Sequence, residues 1–118
     1  MKKTILLLES DSELRKVIAL HMERLNWRVL QSKTVEFALQ LLERETPDIL
    51  ILELDTPYRM NGMLIDRFRA IDHGLPGKVV ILALEHLNRE VVDRYQPDIL
   101  IYKPFDIRNL SKRVEALS

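Results

Sequence analysis

The chain has 118 residues, a length typical of a single domain, here taken as residues 1–118. Its 18 basic and 18 acidic side chains balance, which argues against a general attraction to nucleic acid or membranes, and the absence of cysteine excludes disulfides and thiolate sites. Because no apolar run approaches the roughly 18 to 20 residues of a membrane span, we expect a soluble, cytoplasmic domain.

The N-terminal stretch predicts a strand followed by a helix. Residues 4–8 form a run that is apolar except for Thr4, as in a strand that is buried on both faces. Ser10 or Asp11 can cap the helix that follows, and Glu13 stands at capping-box spacing from Ser10. Apolar residues then recur at three- and four-residue steps, which predicts a helix that Asn26 ends.

The chain then predicts a weaker strand, a second helix and a central strand. The second strand is expected over residues 27–31, and Thr34 is placed to cap the helix that Pro47 ends. Residues 49–54 form an apolar run broken only by Glu53, which is typical of an interior strand of a parallel sheet. Its carboxylate is therefore expected at the C-terminal end of that strand, where open α/β sheets bind ligands.

The second half of the chain repeats this alternation. Residues 57–62 have the composition of a loop, and a third helix is predicted over 63–71. A buried strand follows at 79–84, and a short helix at 87–95. The last predicted helix begins after Asp106.

One five-residue segment occurs twice in the chain. Pro97 to Ile101 copies Pro47 to Ile51 residue for residue, fifty positions further on. The identity is too short to indicate duplication. We interpret it as the same local solution used twice: a helix stop, a cap and a buried strand.

Five strands alternating with five helices predict an α/β fold with a doubly wound, five-stranded parallel sheet and helices on both faces. We predict the strand order 2-1-3-4-5. This order places the switch point between the first and third strands, so that the ligand crevice lies between Glu9 and Glu53.

Three charged residues are predicted to meet at the C-terminal edge of this sheet: Glu9, Glu53 and Lys103 end the first, third and fifth strands. Glu53 and Lys103 hold matching places in the repeated segment, so they are expected to point the same way at the same height. An ammonium there would keep the carboxylates ionised. Charged residues are common at strand ends because strand interiors exclude them, and this suffices to explain any one of the three. The convergence of all three at one edge favours a functional site.

Along its whole length, the chain resembles the receiver domains of bacterial two-component response regulators, which are chemotaxis-regulator-like and flavodoxin-like in fold. The resemblance is carried by residues 5–9, by 47–53 with Pro57 four positions after Glu53, by Asn61-Gly62, and by the specific motif at 103–105. It implies phosphoryl transfer to an Asp at the end of the third strand and an acidic pair that helps hold Mg²⁺. It further implies a Thr or Ser that ends the fourth strand and a Lys that contacts the phosphoryl group.

The chain departs from that pattern at most of the chemically active positions. Glu53 stands at the phospho-acceptor position, and the acidic pair becomes Glu9-Ser10. Ala83 replaces the hydroxyl residue, and Leu100 the switch aromatic, so that only Lys103 is unchanged. The resemblance therefore implies a pseudo-receiver that is not an enzyme and that lacks the phospho-acceptor Asp.

Several alternatives remain open at this edge. Glu9 and Glu53 could supply two ligands to a weakly held Mg²⁺, but both are longer than Asp, which shifts the geometry of in-line transfer; no other cofactor is expected. We predict instead that a Glu53–Lys103 ion pair locks the domain in one state. Asp55 is the alternative acceptor, and Asp11 could replace the acid lost at position 10, although an N-cap role suits it better.

The favoured function is signalling in a phosphorelay through protein contacts, without phosphorylation. The resemblance implies a sensor kinase, an output domain or a second copy as partner, held by the face of the fourth helix, fifth strand and fifth helix. On that face lie Arg89, Arg94, Tyr95, Arg108, Lys112 and Arg113. Singly, each of these is explained as solvated helix surface. This domain itself is not expected to bind nucleic acid or membrane.

The sequence allows two other functions. One is a working Mg²⁺-dependent phospho-acceptor that uses Asp55 or Glu53. The other is an unrelated enzyme or nucleotide binder, which has little support. The first strand–helix turn contains no glycine for a phosphate loop, and His21, His73 and His86 lack metal-ligand spacing.

Overall fold

The computed structural model describes residues 3–54, 58–71, 74, 76–84 and 89–117. Strands and helices alternate along the chain in the order β1 (Thr4–Leu8), α1 (Ser12–Arg24), β2 (Arg28–Ser32), α2 (Val35–Leu42), β3 (Ile49–Leu54), α3 (Tyr58–Ala70), β4 (Lys78–Leu84), α4 (Arg89–Asp93), β5 (Ile99–Lys103) and α5 (Ile107–Leu117). All strand pairs are parallel, and their order is β2-β1-β3-β4-β5, which confirms the predicted doubly wound sheet.

The sheet separates two apolar cores. Alternate residues of the interior strands point to opposite faces, so that Ile5 and Leu7 pack on one side while Leu6 and Leu8 pack on the other. The first core is closed by α1 and α5, and the second by α2, α3 and α4. Burial of each such Leu or Ile side chain contributes about 1.5 to 3 kcal/mol, which is why the interior strands are almost continuously apolar.

The repeated segment fixes the start of two strands. The backbone N–H of Thr4 donates to Asp48 Oδ2 at 2.8 Å, and the N–H of Asp48 donates to the Thr4 carbonyl at 2.8 Å. Val79 and Asp98 make the same two contacts, again at 2.8 Å each. Each aspartate therefore clamps the first residues of the strand beside its own, which gives the repeat a function beyond ending a helix.

Helix α1 begins at one of the two predicted caps. Asp11 Oδ1 accepts hydrogen bonds from the N–H groups of Glu13 and Leu14, so that Asp11 is the N-cap. The capping box expected from Ser10 does not form, because the backbone N–H of Ser10 is bound to Glu53 instead. At the other end the helix stops before Asn26, which has a φ of 74°.

Helix α3 differs from its prediction. It begins at Tyr58, so residues 58–62 are helical although their composition predicted a loop; residues 55–57 lie outside the described part. Asn61 and Gly62 lower helix propensity by up to about 1 kcal/mol each. Burial of Phe68 and its neighbours on the same helix outweighs this. A Cβ at Gly62 would lie 3.4 Å from the ring of Tyr95, at the edge of ordinary van der Waals contact.

The fourth helix is described as Arg89–Asp93, whereas 87–95 was predicted; residues 85–88 lie outside the described part. Helix α2 ends at Leu42, several residues before Pro47, which the sequence placed as its end. The remaining boundaries that were predicted lie within two residues of those in the structure. Among the described residues, no helix combines the length and the apolar character that crossing a bilayer requires.

Candidate functional site

The three predicted charges meet at the C-terminal edge of the sheet. Glu9 directly follows β1, Glu53 is the penultimate residue of β3, and Lys103 ends β5. Leu8 is paired with Leu52, so Glu9 and Glu53 leave their strands at the same level. By strand alternation all three residues belong to the sheet face that α1 and α5 cover.

The expectation that Glu53 and Lys103 stand at the same height is wrong. Glu53 is paired with Leu82, which is in turn paired with Ile101, so Lys103 lies two residues further along its strand. Two residues correspond to about 6 to 7 Å. The offset arises because β5 is shifted by two residues relative to β3. The identical sequences of the two repeated segments give no sign of this shift. The long lysine side chain reaches back across this distance.

The ammonium of Lys103 lies between two carboxylates. Its Nζ is 2.8 Å from Glu9 Oε1 and 3.3 Å from Glu53 Oε1. The second oxygen of each carboxylate accepts a backbone hydrogen bond: the N–H of Ser10 donates to Glu53 Oε2 at 2.6 Å, and the N–H of Asp11 to Glu9 Oε2 at 3.0 Å. The predicted Glu53–Lys103 pair is therefore part of a three-residue ion cluster, which we call the Glu9–Glu53–Lys103 cluster.

Burial sets the electrostatics of this cluster. The side chain of Glu9 is 0% exposed, that of Glu53 11% and that of Lys103 17%. Burial raises the pKa of Glu9, against the opposing effects of Lys103 and the Asp11 N–H, and the nearby Glu53 carboxyl raises it further. Burial alone would lower the pKa of Lys103, but Glu9 and Glu53 outweigh it and raise that pKa, so the ammonium stays charged.

One oxygen of Glu9 is incompletely satisfied. Glu9 Oε1 is buried and has no hydrogen bond within the described part of the chain, although Lys103 Nζ lies 2.8 Å away. The two observations are compatible, because an ion pair requires only a short distance whereas a hydrogen bond also requires alignment. The contact between Glu9 Oε1 and Lys103 Nζ is therefore described as an ion pair.

The remaining predicted positions do not all join the cluster. Ser10 contributes its backbone N–H, and Asp11 serves as the helix cap. Ala83 and Leu100 belong to the core on the opposite face of the sheet. Asp55, the alternative acceptor, lies outside the described residues. The Lys103-Pro104 peptide bond is cis.

The sequence analysis missed Arg15 as a neighbour of the site. Its guanidinium Nη1 donates to the Glu9 carbonyl oxygen at 2.9 Å, which ties the first turns of α1 to the end of β1. The sequence contains a signal for this contact, since a basic residue one turn into the first helix can reach back to the preceding strand end. Its backbone target, however, becomes visible only with the structure.

The cluster fits Mg²⁺ poorly. Among the described residues, no three His, Cys, Asp or Glu side chains are grouped so that they could hold a metal ion. The two carboxylates present face an ammonium with one oxygen each and bind backbone N–H groups with the other. The Asp11 carboxylate is turned toward its own helix. Mg²⁺ requires near-octahedral oxygen ligands at 2.0 to 2.1 Å, and this donor set is already committed.

A groove of about 400 Å³ lies on the face formed by α4, β5 and α5. Leu100 and Tyr102 form part of its floor, with Arg89 and Arg113 among the charged residues that line it. Arg113 Nη1 donates to the Leu100 carbonyl at 3.4 Å. Two of the six residues predicted for the partner face therefore line a groove.

Known proteins resemble this chain in sequence and in fold. No protein-family model matches it. It is 26% identical over 121 residues to "Probable transcriptional regulator ycf27" of Guillardia theta, and the match covers 98% of this chain and 45% of that protein. The chain thus spans less than half the length of this curated relative.

Solved structures of similar fold cover nearly the whole chain. The chemotaxis response regulator CheY4 of Vibrio cholerae superimposes with a TM-score of 0.85 at 13% identity, over 100% of both chains. A response regulator signal receiver domain from Bermanella marisrubri gives a TM-score of 0.80 at 23% identity, over 99% of this chain and 98% of that one. The chain therefore has the CheY-like fold of response-regulator receiver domains.

Proposed function

We propose that the chain is a cytoplasmic receiver domain of two-component signalling that acts through protein contacts and accepts no phosphoryl group. The observation that carries this proposal is the Glu9–Glu53–Lys103 cluster, which places an ion pair at the switch point of a receiver fold. The likeness to solved receivers and to a probable transcriptional regulator supports the signalling role. On this proposal the domain is a binding module and not an enzyme.

The chemistry of the cluster supports the loss of phosphorylation. Glu53 is one methylene longer than the usual acceptor, and its two oxygens are engaged by Lys103 and by the Ser10 N–H. A shift of about 1 Å in the attacking atom is large on the scale that positioned catalysis tolerates. The lysine that would contact a phosphoryl group is instead neutralised by two carboxylates.

The absence of a hydroxyl at Ala83 supports independence from a phosphoryl signal. Ala83 is fully buried in the core shared by α2, α3 and α4, and its side chain cannot bond an oxygen. Leu100 packs against the same core at the position where the family has its switch aromatic. Both side chains are apolar, so they pack in the core and cannot form hydrogen bonds that would carry a signal.

The partner surface of this proposal is the face of α4, β5 and α5. Arg89 and Asp93 form an ion pair of 3.3 Å there, and both are largely exposed. The groove beside them is lined mainly by polar and charged side chains, and Leu100 and Tyr102 add some apolar surface. A protein partner suits this mixture, since interfaces combine an apolar centre with a polar rim.

The proposal is tested by amide NMR of the chain, titrated with Mg²⁺ and then with beryllofluoride, a phosphoryl mimic. We expect no saturating shifts at the ends of β1, β3 and β5. Shifts that require both additives would contradict the proposal and would favour the alternative of a working acceptor. The Asp55→Asn and Glu53→Gln variants would then show which carboxylate responds.

A further inference from the structure

Helix α1 presents an apolar pair to solvent. Val17 and Leu20 are each 51% exposed, the highest values among the large apolar side chains of the described residues. They stand three residues apart, so they are neighbours on the helix surface. The helix is attached to the core that it shares with α5 by other side chains, namely Ile18, Ala19 and Met22. The exposed pair is therefore available for contact with a second molecule.

Charged residues flank this pair in a symmetrical order. Glu13 lies four residues before Val17, and Arg24 lies four residues after Leu20, so the four side chains follow one face of the helix over about 16 Å. We call these four residues the α1 strip. Glu13 and Arg24 are exposed, and neither forms an ion pair within the described part of the chain. The strip thus has an acidic end, an apolar centre and a basic end.

This order is complementary to itself when it is reversed. In a second α1 that lies antiparallel across the first, with a two-fold axis midway along the strip, Val17 faces the partner's Leu20. Glu13 then faces the partner's Arg24, and the two-fold axis makes each of these contacts twice. A parallel second helix would instead bring like charges together at both ends, which repels. The charges therefore favour the antiparallel arrangement.

A second pair of charges supports the same arrangement. Lys16 and Glu23 are both exposed, and they border the strip on one side, two helical turns apart. When the second helix is reversed, Lys16 comes within about 3 Å, measured along the helix axis, of the level of the partner's Glu23. Both side chains are long enough to close this difference. The border of the strip is therefore complementary to itself as well.

We propose that the α1 strip is a self-association surface, on which a second copy of this chain packs its own α1 antiparallel across a two-fold axis. One helix face buries less than the roughly 800 Å² per partner of a standard interface, so the dimer is weak, with a Kd between about 10 µM and about 1 mM. The strip lies on α1 and not on the face of α4, β5 and α5. The inference therefore goes beyond the proposed function and does not depend on it.

Sedimentation equilibrium and amide NMR of the chain at concentrations from about 20 µM to about 1 mM test the proposal. We expect a monomer–dimer equilibrium, with amide shifts along α1 that grow with concentration. Leu20→Lys should weaken the dimer at least about tenfold, because it places two charges in the apolar centre. Phe37→Lys is the matched control, since Phe37 is 43% exposed on α2, and it should leave the dimer unchanged.

Exchange of the end charges tests the orientation. Glu13→Lys and Arg24→Glu each place like charges opposite one another twice in the dimer, so each should weaken it about tenfold. The Glu13→Lys/Arg24→Glu double variant again places opposite charges together and should dimerise within about threefold of the wild type. Circular dichroism shows whether each variant is folded. If a charge variant unfolds, the comparison of Leu20→Lys with Phe37→Lys decides alone.

Three results would overturn the proposal. A chain that stays monomeric up to about 1 mM would leave the strip to a different protein. A dimer that Leu20→Lys leaves intact would lie on another face. A double charge variant that stays as weak as the two single variants would exclude the antiparallel arrangement. No Mg²⁺ or beryllofluoride is used, so these results are independent of the test of the proposed function.

Discussion

Lys103 Nζ lies 2.8 Å from Glu9 Oε1 and 3.3 Å from Glu53 Oε1, so its removal takes a positive charge away from two buried carboxylates. We expect Lys103→Met to lower the free energy of unfolding by about 3 kcal/mol at neutral pH. The loss should shrink in acid, where the carboxylates can take up protons. Urea unfolding at several pH values measures both effects.

Lys112→Met is the control for this loss, because Lys112 is an exposed side chain of the same charge; its substitution should change stability by no more than about 0.5 kcal/mol. If the two lysine variants were equally stable at neutral pH, the ion cluster would contribute nothing to folding.

The buried carboxyl of Glu9 predicts a dependence of stability on pH. Burial raises its pKa in the folded chain above the ordinary 4.5, so the folded state binds this proton more tightly than the unfolded state. Stability due to Glu9 is therefore present below pH 4.5 and falls as the pH rises through the folded pKa. The wild type should lose stability relative to Glu9→Gln over that window, as measured by urea unfolding. A relative gain would mean that Lys103 outweighs burial.

At the scale of single residues, the sequence predicts which charged residues meet but not the distances between them. Glu9, Glu53 and Lys103 could be placed together because each ends a strand and the strand order follows from alternation. Their distances depend on the register of β5 and on side-chain reach, which composition does not contain. The Arg15 contact was missed for the same reason, since it ends on a backbone carbonyl.

At the scale of elements, the two aspartates of the repeated segment predict a matched pair of variants. Each binds a backbone N–H at the start of a neighbouring strand, a contact to a charged acceptor that contributes about 1.5 to 3 kcal/mol. We expect Asp48→Ala and Asp98→Ala both to lower the free energy of unfolding, Asp48→Ala by more because Asp48 is less exposed. Urea unfolding measures the difference.

Asp66→Ala is the control for these clamps, since Asp66 is exposed on α3 and should change stability by no more than about 0.5 kcal/mol. Amide exchange adds a local measurement: the N–H of Thr4 should exchange faster in Asp48→Ala, and that of Val79 in Asp98→Ala. Unchanged exchange at both positions would contradict the clamp.

At the scale of elements, local sequence patterns predict some boundaries correctly and misplace others. The predicted bounds of β1 agree with those found, because Thr4 and four apolar residues are followed by polar ones. The start of α3 was misplaced by five residues, because Asn61 and Gly62 favour turns locally while the burial of Phe68 favours the helix. Tertiary packing of this kind is not contained in a local pattern.

At the scale of the whole molecule, the ion cluster and the switch positions are separated by the sheet. The three charges follow strand residues of the core that α1 and α5 cover, whereas Ala83 and Leu100 belong to the core under α2, α3 and α4. A signal from the cluster to the groove on α4, β5 and α5 would have to cross at the strand ends. Ala83 has no hydroxyl, so its own side chain offers no hydrogen bond for this step.

This separation predicts the behaviour of a partly restored site. The Ser10→Asp/Glu53→Asp variant supplies the missing acid and shortens the acceptor, which opens space between the carboxylates and Lys103. We expect it to respond to Mg²⁺ with beryllofluoride, with amide shifts at the ends of β1, β3 and β5. Leu100 and α4 should remain unchanged, because Ala83 offers no hydroxyl to carry the change across the sheet. Shifts that reach α4 would show that the groove is coupled to the cluster by the backbone alone. If the double variant shows no shifts, the loss of phosphoryl chemistry is not due to residues 10 and 53.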